Sequence, residues 1–314
     1  MKEVHRPLMH QTTLLAAWLC LRFPTVLASL ALLPCAGRAQ AAGSPIPHGT
    51  VELVAEHQWV APGIEFCLGL HFQLDQGWHI YWVNPGDSGE PPHVTWQLPP
   101  GLTAQEIDWP APRRLGTSSI VDFGYEEGVM LIVPIHADAN MAAPRPVQIT
   151  ANLKVLVCRE TCIPGKAQLS LALPVKPQQP ISDARALDLF AATRKSLPRP
   201  APPSWRFSVG DAGGYFVLSA RLGHQITQAA FFPRVESQID NAAPQKLTPV
   251  AGGFQLTLRK SDQLLKPIER LKGVLVLPAG AYLVDTIVDK PAATRNGYGT
   301  GIRLPQPSKE ETQR

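Results

Sequence analysis

Short runs in which apolar and polar residues alternate fill the chain from residue 50 to about residue 175, and proline, glycine, asparagine and aspartate separate them. Because successive side chains of a strand point to opposite faces, a period of two residues predicts strands with one buried face. Many short strands between turn residues are typical of an antiparallel β-sandwich. The predicted strands are residues 51–55, 64–74, 78–82, 94–98, 104–109, 129–135, 147–157 and 167–173.

A helix and a proline-rich segment are predicted after the sandwich. Ser182 is a suitable N-cap for a helix that runs to about Leu197. Leu187 and Phe190 fall at helical spacing, so the helix has one apolar side that can pack on a neighbouring surface. Proline occupies four of the six positions 198–203, which favours an extended connection.

The alternating pattern then resumes in a smaller unit. Its predicted strands are residues 205–209, 215–221, 229–232, 254–259, 273–277 and 282–288. The sequence therefore predicts an all-β fold: an antiparallel sandwich at residues 45–178, a connecting helix and linker at 181–203, and a second, smaller β-rich domain at 204–290. Residues 291–314 offer little to bury, and we expect a disordered tail there.

The first 41 residues have the features of a secretory signal peptide. Lys2 and Arg6 precede an apolar segment at 24–36, and small residues at 39 and 41 fit a cleavage site before Ala42. No later segment is long and apolar enough to span a membrane. The expected product is exported into an oxidising compartment.

The charge balance gives no basis for binding nucleic acid. The formal net charge of the whole chain is +4, and removal of the signal takes away four basic residues and one acidic residue, which leaves +1. Proteins that bind nucleic acid through phosphate contacts carry a much larger basic excess.

Three cysteines remain after the predicted cleavage: Cys67, Cys158 and Cys162. An odd number leaves one thiol free or paired with another molecule. Cys67 lies on the polar face of its predicted strand, together with Glu65 and His71, and we interpret it as an incidental strand thiol.

The spacing of Cys158 and Cys162 predicts a tight turn. In an extended strand, four residues separate Cα atoms by about 13 Å, whereas a disulfide requires less than about 7 Å. Closing so short a loop contributes only about 2 kcal/mol to stability. The spacing alone leaves two interpretations open: a redox-active dithiol and a local structural disulfide.

Several short motifs point to one family when they are taken together. In chain order they are GWHIYW at 77–82, NPGDSG at 84–89, DWPAP at 108–112, FGYE at 123–126 and VCRETCIPG at 157–165. Over residues 45–175 the chain resembles the N-terminal periplasmic region of the thiol:disulfide interchange protein DsbD, particularly its ScsB-like relatives. Weaker similarity continues through AFFP at 230–233 and IDNAAPQ at 239–245.

The resemblance implies an immunoglobulin-like sandwich in the periplasm whose cysteine pair passes electrons from a membrane-embedded thiol reductase to periplasmic thioredoxin-fold proteins. By the same resemblance, Cys162 forms the mixed disulfide with the partner and Cys158 resolves it. The chain ends where the membrane helices and the C-terminal thioredoxin-like domain of full-length relatives begin. We therefore expect a separate membrane protein to reduce it.

The resemblance also implies an aromatic cap loop over the sulfur atoms. The stretch that fits it best contains Asp122, Phe123 and Tyr125, with Phe123 or Tyr125 covering the disulfide until a partner displaces it. The alternative is that these aromatic residues belong to the core at the entrance of a strand.

A binding module without redox activity is a second hypothesis. Its candidate ligand-contacting residues are Trp78, Tyr81, Trp82, Trp96 and Trp109, which suit an extended ligand such as a glycan, although aromatic residues of sandwiches usually fill the core.

Metal capture is a third hypothesis, because two thiolates such as Cys158 and Cys162 suit copper(I). The sequence contains no four-ligand zinc motif, no nucleophile elbow and no phosphate-binding loop, so we expect neither a resident metal nor a cofactor.

Overall fold

The structure is a computed structural model that describes residues 43–116, 119–141 and 146–289. The predicted signal peptide, residues 1–41, and the predicted tail, residues 291–314, lie outside the described residues. Predictions about these two segments therefore stay predictions.

Two antiparallel sheets form the first part of the described chain. The strands are β1 (Ser44–Ile46), β2 (Gly49–Ala55), β3 (Phe66–Leu74), β4 (His79–Gly86), β5 (His93–Gln97), β6 (Leu102–Ala104), β7 (Arg113–Leu115), β8 (Asp122–Glu126), β9 (Gly128–Ala137), β10 (Val147–Cys158) and β11 (Cys162–Leu173). One sheet has the order β1-β2-β3-β9-β6, and the other has the order β11-β10-β4-β8-β7, with β5 also paired to β10.

A single hydrophobic core lies between these sheets. Phe72 and Leu131 of the first sheet and Ile80, Trp82 and Phe123 of the second are all fully buried in it or nearly so. Along β2, buried and half-buried positions alternate as the period-two pattern predicts. The prediction of an all-β, immunoglobulin-like sandwich is confirmed.

The predicted strand at 104–109 is mostly wrong. Strand β6 ends at Ala104, and beyond it Asp108 makes one isolated bridge to Ile132. The amide of Gln105 still donates to the carbonyl of Pro134 in β9. Because Pro134 has no N–H to return a hydrogen bond, the regular ladder stops at this position.

The helix is shorter than predicted: α1 spans Leu187–Ser196, and Ala186 is its N-cap. Ser182 forms a β-bridge with His57 and is therefore extended rather than capping. The side chain of Asp183 accepts a hydrogen bond from the amide of Arg185, which makes a turn before the helix begins.

Helix α1 packs on the outer face of the first sheet. Phe190 is buried against Met130 and Ile132 of β9. A Cβ atom at Gly69 of β3 would crowd Met130 and contact Phe190, so glycine leaves room for the helix there. No helix in the described part of the chain is long and apolar enough to cross a membrane.

A third sheet follows the helix. Its strands are β12 (Arg199–Pro200), β13 (Arg206–Ala212), β14 (Tyr215–Arg221), β15 (Ala230–Pro233), β16 (Lys246–Val250), β17 (Gly253–Arg259), β18 (Arg270–Leu277) and β19 (Gly280–Asp289). Their order is β15-β18-β19-β13-β14-β17-β16, and β12 and β13 both pair parallel with β19.

The third sheet has its own core and also contributes to the core of the sandwich. Phe232 and Val274 belong to the sandwich cluster, whereas Phe216, Phe254 and Leu275 belong to a separate cluster. The proposed division into domains at 45–178, 181–203 and 204–290 stays a prediction.

Candidate redox site

The two cysteines close the end of a long hairpin. Strands β10 and β11, twelve residues each, pair along their whole length, and Cys158 lies directly opposite Cys162. The structure joins them by a disulfide with a Cα–Cα distance of 4.1 Å. The turn that the spacing predicts is therefore the hairpin turn at residues 159–161.

The two cysteines differ in their exposure to solvent. Cys158 is 2 % exposed, because it is enclosed by β11 on one side and pairs with His79 of β4 on the other. Cys162 begins β11 and is exposed. Cys162 is therefore the cysteine of the pair that a second molecule can reach.

Tyr81 provides the polar contact to the exposed cysteine. Its ring is fully buried, and its phenolic oxygen lies 3.3 Å from Sγ of Cys162. A disulfide sulfur carries no hydrogen, so Tyr81 is the donor in this state. Burial raises the pKa of Tyr81, and the charge of Asp122 acts in the same direction although Ser88 opposes it. The phenol therefore keeps its proton at neutral pH.

His79 lies beside this contact on the same face of β4. Its ring meets the ring of Tyr81 edge to face at 5.3 Å, and the residue is 9 % exposed. Burial lowers the pKa of His79, although the carboxylates of Asp122 and Glu126 act in the opposite direction. The imidazole is thus neutral at pH 7, and its Nε2 has no hydrogen-bond partner among the described residues.

The segment 84–89, called here the NPGDSG loop, comprises the last three residues of β4 and the bend after them, and it packs against Tyr81. Gly89 has a φ of +83°, and a Cβ atom there would overlap the phenol ring of Tyr81. Only glycine combines a readily positive φ with the absence of a side chain that would meet the ring. The amide and hydroxyl of Ser88 bind the carboxylate of Asp122 in β8 at 2.9–3.0 Å. Burial raises the pKa of Asp122, while these hydrogen bonds with Ser88 oppose the effect.

The residues expected in a cap loop belong to a strand of the sheet. Asp122, Phe123 and Tyr125 form strand β8 instead of a loop. The ring of Phe123 packs on Phe232 at 5.2 Å, and the hydroxyl of Tyr125 donates to the carbonyl of Pro110 at 2.7 Å. Because both rings are committed to the core, these two residues fit the alternative interpretation as core aromatics.

A signal for the residue that contacts the sulfur is present in the sequence. Tyr81 and His79 are two residues apart in the GWHIYW motif, so a strand places them on one face. Their proximity to Cys158 and Cys162 depends on pairing across about 80 positions of the chain, which periodicity cannot show.

The third cysteine lies outside this site. Cys67 is half-buried on the outer face of the first sheet, where Arg194 of α1 approaches its sulfur at 3.7 Å. Burial, together with the charge of Glu56, raises the pKa of Cys67 to about 11. Its thiolate is scarce at neutral pH, which agrees with its interpretation as an incidental thiol.

The aromatic residues of the binding-module hypothesis are mostly inaccessible. Trp78, Tyr81, Trp82 and Trp109 are between 0 and 9 % exposed, and Trp96 is half-buried. Rings this deep in a sandwich have no free face for a ligand. Within the described ranges, no group of three or more histidine, cysteine or acidic side chains is arranged to hold a metal ion.

The fold and site together define an immunoglobulin-like β-sandwich with a hairpin disulfide between one buried and one exposed cysteine. A family model described as the N-terminal region of the thiol:disulfide interchange protein DsbD matches residues 50–174. Residues 50–174 therefore form a domain similar to the N-terminal region of DsbD.

A solved structure supports the same fold over a longer stretch. The crystal structure of the N-terminal periplasmic domain of ScsB from Proteus mirabilis has a TM-score of 0.62 and 17 % identity, and the match covers 80 % of this chain and 98 % of that one. The titin domains Z1Z2 in complex with telethonin (12 % identity; 80 % and 100 % covered) and the periplasmic chaperone SfaE (10 %; 76 % and 100 %) give TM-scores of only 0.20 and 0.18. Curated protein sequences give no match.

Proposed function

We propose that the protein exchanges thiols and disulfides in the periplasm through Cys158 and Cys162, and relays electrons from a membrane-embedded thiol reductase to thioredoxin-fold acceptor proteins. The observation that carries this proposal is the unequal exposure of the two bonded cysteines at the end of the hairpin. The DsbD/ScsB-like domain at residues 50–174 supports the class of partner.

The chemistry assigns one step to each sulfur. In the reduced protein, the Cys162 thiolate attacks a disulfide of the acceptor, forms a mixed disulfide and displaces one acceptor thiolate, which takes up a proton. The Cys158 thiolate then attacks Sγ of Cys162, and the second acceptor thiolate leaves. Cys158 and Cys162 thereby lose two electrons and form a disulfide. The membrane reductase supplies two electrons and two protons to return them to thiols.

A purely structural disulfide would be poorly placed here. The ladder of β10 and β11 already holds Cys158 opposite Cys162. Because this loop is short and closed by backbone hydrogen bonds, the covalent link adds at most about 2 kcal/mol by loop entropy. The burial of Cys158 instead favours a resolving role, since a shielded thiol reacts with the neighbouring Cys162 before it meets a second protein.

Asp122 has a supporting role in this proposal. Its carboxylate holds Ser88, and so keeps the NPGDSG loop against Tyr81. The hydroxyl of Tyr81 can stabilise the Cys162 thiolate by a charge-assisted hydrogen bond.

A glutathione redox titration of a Cys67→Ser variant tests the proposal. We expect Cys158 and Cys162 to oxidise and reduce together with a midpoint above about −300 mV, the range below which structural disulfides fall. Mass spectrometry should detect a glutathione adduct on Cys162 at intermediate potentials. A pair that stays oxidised throughout the series would refute the redox function.

A further inference from the structure

We propose that Asn241 and the carbonyl of Pro233, both in the part of the chain that forms the third sheet, are positioning groups of the redox site because they anchor the NPGDSG loop over Tyr81. This inference rests on the proposed function and assigns a task to the AFFP and IDNAAPQ segments, which redox chemistry alone leaves without one.

The first anchor is Asn84, the first residue of the loop. Its side chain is buried, and its Nδ2 donates to the carbonyl of Pro233 at 2.7 Å. Its Oδ1 accepts from the amide of Gly86 at 3.0 Å. One amide group thus fixes the bend of the loop and ties it to β15.

The second anchor is the pair Asp87 and Asn241. The Nδ2 of Asn241 donates to one carboxylate oxygen of Asp87 at 2.8 Å, and the amide of Val121 donates to the other at 2.8 Å. Asn241 is only 5 % exposed, and its Oδ1 has no partner within the described residues. Among the described residues, Asp87 is therefore the hydrogen-bond partner of the buried Asn241 side chain.

Both anchors rest on rigid supports. Asp240 accepts hydrogen bonds from the amides of Ala242 and Ala243, and its own amide donates to the carbonyl of Arg259, which fixes the turn that carries Asn241. The other anchor, Pro233, follows Phe232 in β15, and the ring of Phe232 packs in the sandwich core against Phe123. The third sheet therefore holds the anchor points still relative to β8.

The loop transmits this position to the sulfur in two contacts. Gly89 lies against the ring of Tyr81, and Tyr81 donates to Sγ of Cys162. If Asn241 no longer holds Asp87, the loop is less restrained and the phenol has more freedom to leave the sulfur. In the reduced protein, the Cys162 thiolate then loses its hydrogen-bond donor.

The test measures how fast iodoacetamide alkylates reduced Cys162 as a function of pH, in the Cys67→Ser background with peptide mass spectrometry to identify the labelled cysteine. We expect Asn241→Ala and Asn241→Asp to slow alkylation at pH 7 by about tenfold, with the same limiting rate at high pH, because one pKa unit corresponds to a factor of ten. The other charged or titratable groups around the sulfurs and Tyr81 are left unchanged: His79, Asp122, Glu126, Arg159 and Glu160.

The isosteric exchange of the two partners supplies the decisive control. Asn241→Asp sets two carboxylates against each other, whereas Asp87→Asn with Asn241→Asp restores a donor and an acceptor and keeps an acceptor for the Val121 amide. We expect this double variant to recover the wild-type profile. Asn152→Ala, which removes an exposed hydrogen bond to Gln168 in the same sheet as the disulfide, should leave the profile unchanged.

The outcomes separate this inference from the proposed function. Folded Asn241 variants with a wild-type profile, or a double variant no better than Asn241→Asp, would overturn the positioning role even if the wild-type pair titrates with glutathione. A wild-type pair that never cycles overturns the redox function itself, and the positioning role goes with it.

Discussion

The phenolic oxygen of Tyr81 lies 3.3 Å from Sγ of Cys162, although 81 positions separate the two residues in the chain. This contact links a buried ring of β4, on the face that carries the NPGDSG loop, to the exposed cysteine of the pair. It also makes Tyr81 the residue whose substitution reports most directly on the state of Cys162.

We expect Tyr81→Phe to raise the pKa of the Cys162 thiol and to slow its alkylation at pH 7 by about tenfold, since the thiolate loses a hydrogen bond. The free energy of unfolding of the oxidised protein should change by only about 1 kcal/mol, because the ring stays in place. Both quantities are measured on the same preparation, by peptide mass spectrometry and by urea unfolding.

The matched control is Tyr125→Phe, which also removes one buried hydroxyl but leaves the carbonyl of Pro110 without its donor. It should lower stability without changing the reactivity of Cys162. The reverse result would mean that Tyr125 acts on the sulfurs as a cap residue after all.

Single cysteine variants should differ in whether they trap a partner protein as a mixed disulfide. With Cys158→Ala, Cys162 can form a mixed disulfide that nothing resolves, so a covalent complex with an oxidised thioredoxin-fold protein should accumulate on non-reducing gels. With Cys162→Ala, the remaining Cys158 is buried and should give little or no complex. Cys67→Ala should behave as wild type, and trapping through Cys67 would contradict the site assignment.

Gly89→Ala should disturb the site through a steric conflict. A methyl group at this position overlaps the ring of Tyr81, and the φ of +83° is unfavourable for alanine. Gly223 has a φ of +86°, but a Cβ atom there would have no neighbour within 4 Å, so Gly223→Ala reports the backbone cost alone. We expect Gly89→Ala to lower the free energy of unfolding by about 1 to 3 kcal/mol more than Gly223→Ala. Equal losses would show that the loop moves away from Tyr81 at little cost.

The ion pair of Glu56 with Arg194 should make stability depend on pH. Burial alone would raise the pKa of Glu56, but the hydrogen bond and charge of Arg194 at 2.7 Å outweigh it and lower the pKa below the ordinary 4.5. A carboxylate whose pKa is lowered in the native state stabilises the fold above its unfolded pKa, and this stabilisation is lost as the pH falls through the lowered value.

Glu56→Gln should therefore cost about 1 kcal/mol at pH 7 and progressively less below pH 4.5, in urea unfolding at each pH. Glu65→Gln serves as the control, because the Glu65 side chain is 71 % exposed and its carboxylate lies 3.5 Å from His136 instead of beside a guanidinium. A constant deficit for Glu56→Gln across this range would mean that lost packing, and not charge, explains it.

The strands were predictable wherever one face of a sheet is buried along its whole length. The run 215–221 coincides with β14, and the long strands β3, β9 and β10 also fall within a few residues of their predicted bounds. In these segments the period of two follows directly from burial. Strand β8 escaped prediction because it is only five residues long and Gly124 interrupts its alternation.

Other differences arise from contacts between distant segments. Ser182 is a good N-cap in isolation, but its bridge to His57 keeps it extended. Strand β6 ends where it meets Pro134 of the neighbouring strand β9. The sequence of residues 104–109 alone does not show that a proline lies opposite. The candidate site follows the same rule: the turn between Cys158 and Cys162 is local and predictable, whereas the donors that surround it are brought there by tertiary structure.

The long ladder of β10 and β11 has a consequence for how a partner senses the state of this protein. Backbone hydrogen bonds, and not the covalent link, keep Cys158 opposite Cys162. We therefore expect the oxidised and reduced molecules to have nearly the same outline. A docking protein would then recognise an unchanging surface in both states, and only the bond that Cys162 makes, to hydrogen or to Cys158, would tell it whether electrons are there to be taken.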